Sequence, residues 1–223
     1  NIKRIDKNHN SITAKSTVAS AKSDNQQTMN ALFKSACEVQ GMNKDTEVTC
    51  LSDGAENCKS IAYSIESYCK NVTYILDWFH IGMKFKNYRS SVPEEHKELY
   101  DNVKWNLWHG NVQKALRRFD ELKNLIEDEV AITKLNKLYT YIENNKNGII
   151  NYEARKSAGL VFTSNLAEST VNSLINERQK GKQKMLWSRE GAHNVLQIRA
   201  SLQSKSWKNE WAKVENIIYK KTA

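Results

Sequence analysis

The chain has 223 residues, 39% hydrophobic and 26% charged, a balance typical of a globular protein with one sizeable core. One proline and eight glycines exclude a Pro/Gly-rich linker, and no apolar run is long enough to predict a membrane span. Of the net charge of +9, most lies in residues 176–223, which hold 11 Lys and Arg against four Glu. This indicates either a polyanionic partner such as nucleic acid or a solvated basic helix face.

The first 41 residues predict a hairpin followed by a helix. The segments NIKRI and SITAKSTVA flank the turn-rich DKNHN, which is typical of a β-hairpin. Apolar residues from Met29 to Cys37 recur at helical spacing, with Ser23 or Asp24 as the predicted N-cap. Gly41 is expected to end this helix.

Residues 46–77 predict a strand, a helix and a second strand. TEVTCLSD and VTYILD are the strands, and GAENCKSIAYSIESYC between them is the helix. A crossover of this length makes the two strands parallel. Because parallel strands end at the same edge of a sheet, we expect Asp53 and Asp77 to share that edge.

From Trp78 onward the pattern is mainly helical. Met83, Phe85, Trp105 and Trp108 belong to this block, and we expect them in the core. Ser188 can cap a helix, and a last helix follows it. The predicted fold class is α/β, with a partial core at 1–81, a helical insertion at 82–155, and C-terminal helices with a basic segment at 156–223.

The cysteines do not form a CxxC pair. Cys37, Cys50, Cys58 and Cys69 lie in apolar segments, which favours buried thiols of a cytosolic protein. A zinc site made of Cys50, Cys58, Cys69 and His80 is the alternative, although its spacing matches no compact zinc module.

Carboxylates at strand ends are suitable ligands for a hard divalent cation, and two such ions can cleave a phosphodiester. Asp53 and Asp77 are therefore candidates, and a turn former or a helix cap is the alternative for each. Glu168 begins a predicted helix and is a third candidate, with a helix-dipole role as its alternative. The candidate DNA-binding residues follow it: Arg178, Lys180, Lys182, Lys184, Trp187 and Arg189. Trp187 could stack on a base or anchor the loop, and we favour the anchor.

The segments LSDGAE, ILDWFHI, WNLWHG and AES…INERQKGKQKMLWSREGAHNVLQIRA resemble, in this order, bacterial insertion-sequence transposases of the ISKra-like group. The resemblance implies a DDE/D-type enzyme with a ribonuclease-H-like mixed sheet and a large all-helical insertion before the last catalytic acid. Asp53 resembles the second catalytic acid and Glu168 the third, both as metal ligands. Asp77 and His80 match a D-x-x-H element whose role stays open between tuning the site, binding metal or DNA, and fixing the loop.

The resemblance implies metal-dependent DNA strand cleavage and strand transfer with Mg²⁺ or Mn²⁺, two ions in all. The implied partners are the DNA of the element ends and target, and further copies of the chain. The implied location is the cytoplasm of a bacterium, at the nucleoid and not in a membrane. The first acid is expected before residue 1, in a chain truncated at its N-terminus, with Asp6 as its only rival. The alternatives are a truncated, non-catalytic DNA-binding remnant and a ribonuclease-H-like nuclease acting on other nucleic acid.

Overall fold

The computed structural model describes residues 2–6, 12–20, 24–164 and 187–222, which form a mostly helical α/β fold. The strands are β1 (Ile2–Ile5), β2 (Ile12–Ser16), β3 (Glu47–Ser52) and β4 (Asn71–Leu76). The helices are α1 (Gln26–Val39), α2 (Glu56–Tyr63), α3 (Trp78–Arg89), α4 (Lys97–Trp108), α5 (Val112–Leu125), α6 (Glu129–Asn144), α7 (Tyr152–Ser157), α8 (Arg189–Gln203) and α9 (Trp207–Thr222). No helix within these ranges is long and apolar enough to cross a bilayer.

The predicted hairpin and the predicted parallel pair are both confirmed. Strands β1 and β2 pair antiparallel, and β3 and β4 pair parallel, as two separate two-stranded sheets. The crossover helix α2 is shorter than predicted. It ends at Tyr63, and a 3-10 turn at Glu66–Tyr68 leads the chain to β4. The mixed ribonuclease-H-like sheet stays a prediction.

Helix boundaries follow capping chemistry. The N-cap of α1 is Asn25, whose Oδ1 accepts the Thr28 N–H at 2.8 Å, so the predicted cap at Ser23 or Asp24 is wrong by one or two residues. Gly41 follows the end of α1 with a φ of +89°, as its predicted role as a helix terminator requires. Ser188 caps α8, as predicted, by accepting the Gly191 N–H at 3.0 Å.

The chain divides into two compact units. Unit 1 comprises residues 1–46, 64–70 and 165–223, and unit 2 comprises residues 47–63 and 71–164. The described part of unit 1 contains β1, β2, α1, α8 and α9. The residues that follow β2 form hydrogen bonds with α8 and its C-cap. The Thr17 N–H donates to Ser204 Oγ at 2.9 Å, and Gln197 Nε2 donates to the Ala19 carbonyl at 2.7 Å.

Unit 2 contains the larger core. Strand β4 and helices α3 to α7 share one cluster of buried residues, so the predicted helical insertion packs directly on the sheet. The apolar residues that recur at helical spacing on α5 and α6 are buried there, in agreement with the mainly helical pattern predicted after Trp78: Ala115, Leu116, Phe119, Leu122, Leu135, Leu138 and Ile142.

Two residues predicted for the core are exposed instead. The exposed fraction is 54% for Trp105 and 39% for Met83. Helix α4 buries Tyr100, Val103 and Leu107, which lie three and four residues apart on one face. Because Trp105 lies two residues from Val103, its side chain leaves α4 on the other side.

The prediction of buried thiols holds for only two of the cysteines. Cys37 and Cys69 are buried, whereas Cys50 and Cys58 are half-buried. Burial raises the pKa of Cys37 to about 11, so this thiol stays protonated and behaves as a small apolar group.

Candidate functional site

The register of the parallel sheet brings the two strand-end aspartates together. Ser52 of β3 pairs with Leu76 of β4, and these are the last residues of their strands. The backbone N–H of Asp77 donates to the Ser52 carbonyl at 2.8 Å. Asp53 and Asp77 therefore directly follow the two strands at the same edge of the sheet, as the sequence predicted.

Asp53 forms a turn and keeps its carboxylate exposed. Its Oδ1 accepts the Ala55 N–H at 3.1 Å, and the intervening Gly54 has a φ of +97°. Asp53 thus forms a turn, as the alternative interpretation predicted. Because the carboxylate faces solvent, it stays accessible to a ligand.

Gly54 is expected to be essential to this turn. Its φ disfavours any side chain, and an added Cβ would lie 2.6 Å from Oδ1 of the buried Asn145. We expect Gly54→Ala to lower the free energy of unfolding by about 2–4 kcal/mol. Gly82 of α3 is the matched control, because it has open space around it and a helical backbone. Gly82→Ala should raise stability by up to about 1 kcal/mol. Urea unfolding measures both, and equal shifts would contradict the turn assignment.

Asp77 is buried, and hydrogen-bond donors surround it. Its exposed fraction is 1%. Oδ1 accepts the backbone N–H of Phe79 at 3.1 Å and that of Ser164 at 3.0 Å. Oδ2 accepts the Ser164 hydroxyl and lies 2.9 Å from Nδ1 of His80. Asp77 is thus the N-cap of α3, and three donors, together with the contact to the His80 ring, compensate the desolvation of its carboxylate.

His80 and Lys84 extend the polar set along α3. The His80 side chain is 43% exposed, and Lys84 lies one turn later on the same helix. Lys84 Nζ is 4.3 Å from the ring centroid of Tyr141. Tyr141 in turn donates its hydroxyl proton to the backbone carbonyl of Asp53 at 2.9 Å. The sheet edge therefore carries carboxylate, imidazole, ammonium and phenol groups.

Two tyrosines from the helical block fix the backbone at the strand ends. Tyr141 of α6 binds the Asp53 carbonyl, and Tyr152 of α7 donates to the Leu76 carbonyl at 2.7 Å. Burial raises the pKa of both phenols well above the usual range, so both remain hydrogen-bond donors. Sequence reasoning missed these residues, because nothing in the local pattern distinguishes them from other core aromatics.

Ser164 was also missed, and it brings the chain back to the sheet edge. Its N–H and hydroxyl both donate to Asp77, 87 residues earlier. Phe162 adds a backbone contact, because its carbonyl accepts the Trp78 N–H at 3.4 Å. In the sequence, Ser164 is marked only by the polar TSN segment before Glu168, and that segment does not indicate Asp77 as its hydrogen-bond partner.

Of the remaining predicted site residues, only Trp187 and Arg189 belong to the part of the chain that the structure describes. Glu168, Arg178, Lys180, Lys182 and Lys184 lie outside the described residues. Trp187 is half-buried, and Arg189 is exposed at the first position of α8. Within the described ranges, no three His, Cys, Asp or Glu side chains are grouped to hold a metal ion, so the alternative zinc site has no support there.

The whole net charge of the chain lies in one of its two units. Unit 2 has 15 Lys and Arg and 15 Asp and Glu, and is therefore neutral. Unit 1 has 19 Lys and Arg against 10 Asp and Glu, and it carries the whole net charge of +9. The formal charge thus distinguishes unit 1, which is strongly basic, from unit 2, which has no net charge.

The comparisons with known proteins yield a family. No curated protein and no solved structure matches the chain. The model of the uncharacterised protein family UPF0236 matches residues 41–215, which include both strand-end aspartates, the helical block and the basic segment. The chain belongs to the UPF0236 family.

Proposed function

We propose that the chain is the catalytic domain of a DDE/D-type transposase of the ISKra-like group, built on a ribonuclease-H-like core. It hydrolyses one strand at the end of an element and then joins the freed 3′-OH to target DNA. The resemblance of LSDGAE, ILDWFHI and the block from Glu168 to Ala200 motivates the proposal.

The contact between Ser164 and Asp77 is the observation that carries it. Ser164 is fixed at the sheet edge, beside the loop of Asp53. Glu168 is only four residues further along the chain, and four residues span at most about 14 Å. The two acids that the resemblance pairs are 115 positions apart in the sequence, whereas Ser164, four residues before Glu168, is bonded at the sheet edge that Asp53 follows.

Asp53 and Glu168 are the residues that would hold the metal. An exposed carboxylate on a tight turn is a suitable oxygen ligand for Mg²⁺ or Mn²⁺. Asp77 does not suit this role, because three hydrogen-bond donors and the His80 ring already occupy its oxygens. The bound ions would activate water and stabilise the leaving oxygen.

The charge of unit 1 supports DNA as the partner. The basic segment from Arg178 to Arg189 belongs to this unit, and cations there would bind phosphates without reading base sequence. A neutral unit 2 contributes no such general attraction.

The second candidate function is a non-catalytic DNA-binding remnant of a transposase. It rests on the basic charge of unit 1, which DNA binding alone would require and which does not depend on cleavage. Such a remnant would keep the basic surface of unit 1 and would bind DNA without cutting it.

The two functions are separated by incubating the full-length protein with a plasmid that carries its gene and flanking DNA. The transposase is expected to produce 3′-OH ends at the element borders, and joined products, in Mg²⁺ or Mn²⁺ but not in EDTA. A remnant would shift the DNA in a gel without cleavage in any metal. Digestion of an RNA–DNA hybrid without cleavage at the borders would instead indicate a ribonuclease-H-like nuclease.

A further inference from the structure

In the Asp77–His80 pair, one nitrogen of a partly exposed imidazole contacts a buried carboxylate. Nδ1 of His80 is 2.9 Å from Asp77 Oδ2, Asp77 is buried, and the His80 side chain is 43% exposed. The ring also packs edge-on against Phe79, with centroids 5.6 Å apart and an angle of 89° between the planes. This contact restricts rotation of the ring.

The bonding around Asp77 decides which nitrogen of His80 carries the proton. The other three groups on this carboxylate are the Phe79 N–H, the Ser164 N–H and the Ser164 hydroxyl. Because these three groups all donate, Asp77 accepts on both oxygens, and an ionised carboxylate can bond to Nδ1 of His80 only if that nitrogen carries the proton. In the neutral ring, the lone pair is then on Nε2, away from Asp77.

We propose that His80 is a proton acceptor at this sheet edge, acting through Nε2, and that Asp77 is the positioning residue that fixes its tautomer. The assignment rests on the proposed DNA cleavage. Nε2 takes a proton from the attacking water while the water oxygen bonds to phosphorus. The P–O3′ bond breaks, and the leaving oxygen takes a proton from solvent. Asp77 stabilises the imidazolium that forms.

Unit 2 contains a matched control for this pair. Nδ1 of His109 lies 2.8 Å from Oε2 of Glu153, so its ring is also paired with a carboxylate. The Glu153 side chain, however, is 56% exposed. Glu153 lies on α7 and His109 at the end of α4, so neither residue is at the carboxyl end of a strand. The His109–Glu153 pair therefore has the same imidazole–carboxylate contact as His80–Asp77, but its carboxylate is exposed instead of buried.

Two-bond ¹H–¹⁵N correlation spectra of the chain, taken where the histidines are neutral, test the tautomer directly. In the wild type, the His80 proton should reside on Nδ1. In Asp77→Asn, the amide N–H can face Nδ1, and the proton should move to Nε2, whereas Glu153→Gln should leave His80 unchanged. A wild-type His80 protonated on Nε2 overturns the inference, whatever the variants do.

Cleavage by the full-length protein tests the use of that nitrogen. His80→Gln should slow strand cleavage by about 10²–10⁴-fold, and His109→Gln should not slow it. The correct tautomer combined with wild-type cleavage by His80→Gln would refute the proton-acceptor role. Absence of cleavage by the wild type would instead refute the proposed function, while the spectra still decide whether Asp77 positions His80.

Discussion

Replacing Glu168 with Gln in the full-length protein is expected to abolish strand cleavage and to leave DNA affinity nearly unchanged. The amide keeps the size of the side chain but removes the negative charge that a divalent cation requires. In the proposed function, DNA affinity is expected to depend instead on the cations of the basic segment, which this change does not alter. Cleavage is measured by the release of 3′-OH ends, and affinity by a binding isotherm.

Glu177→Gln is the matched control for this change. Glu177 is nine residues further along the same segment, and its replacement alters the net charge by the same amount. It should cleave at the wild-type rate. Wild-type cleavage by Glu168→Gln would remove Glu168 from the mechanism, and equal loss in both variants would indicate a general effect of charge or folding.

Replacing Lys180, Lys182 and Lys184 together with Ala is expected to weaken DNA binding equally on all sequences. Each phosphate contact contributes about 0.9 to the slope of log K against log salt, so the slope should flatten by up to about 2.7. Isotherms at several salt concentrations, for wild type and variant, measure this slope. An unchanged slope would mean that the three lysines form only a solvated face.

The control for the lysine variant comes from the neutral unit. Lys114, Lys137 and Lys156 of unit 2 are exposed, and their replacement with Ala removes the same three charges. If unit 1 alone attracts the polyanion, this variant should keep the wild-type slope. A similar flattening in both variants would show that net charge, rather than the basic segment, determines the affinity.

The sheet edge could be predicted because its signals are local. Two apolar runs of strand length, joined by a crossover helix, fixed the direction of β3 and β4 and hence the shared edge of Asp53 and Asp77. The boundary of α2 and the exposure of Trp105 could not be predicted in the same way. The exposure of Trp105 depends on which face of α4 meets the core, and the end of α2 depends on the 3-10 turn that follows it; the apolar pattern determines neither.

The role of Asp77 illustrates what only tertiary structure reveals. Asp77 and His80 match a D-x-x-H element whose role the resemblance left open, and in the structure Nδ1 of His80 lies 2.9 Å from Asp77 Oδ2. The residue that discriminates between the possible roles is Ser164, which is distant in sequence and binds both carboxylate oxygens. With its oxygens occupied, Asp77 fits the role of fixing a loop and an imidazole better than that of a metal ligand.

The proposal that Asp53 and Glu168 share a metal ion is tested most directly by a crystal structure of the full-length protein with Mn²⁺, using anomalous scattering to locate the ion. The expected result is a peak within coordination distance of both carboxylates, about 2.1 Å for an ion of this kind, with Asp77 still bound to Ser164 and His80. Mn²⁺ held elsewhere, or Asp53 and Glu168 too far apart to share an ion, would contradict the proposal.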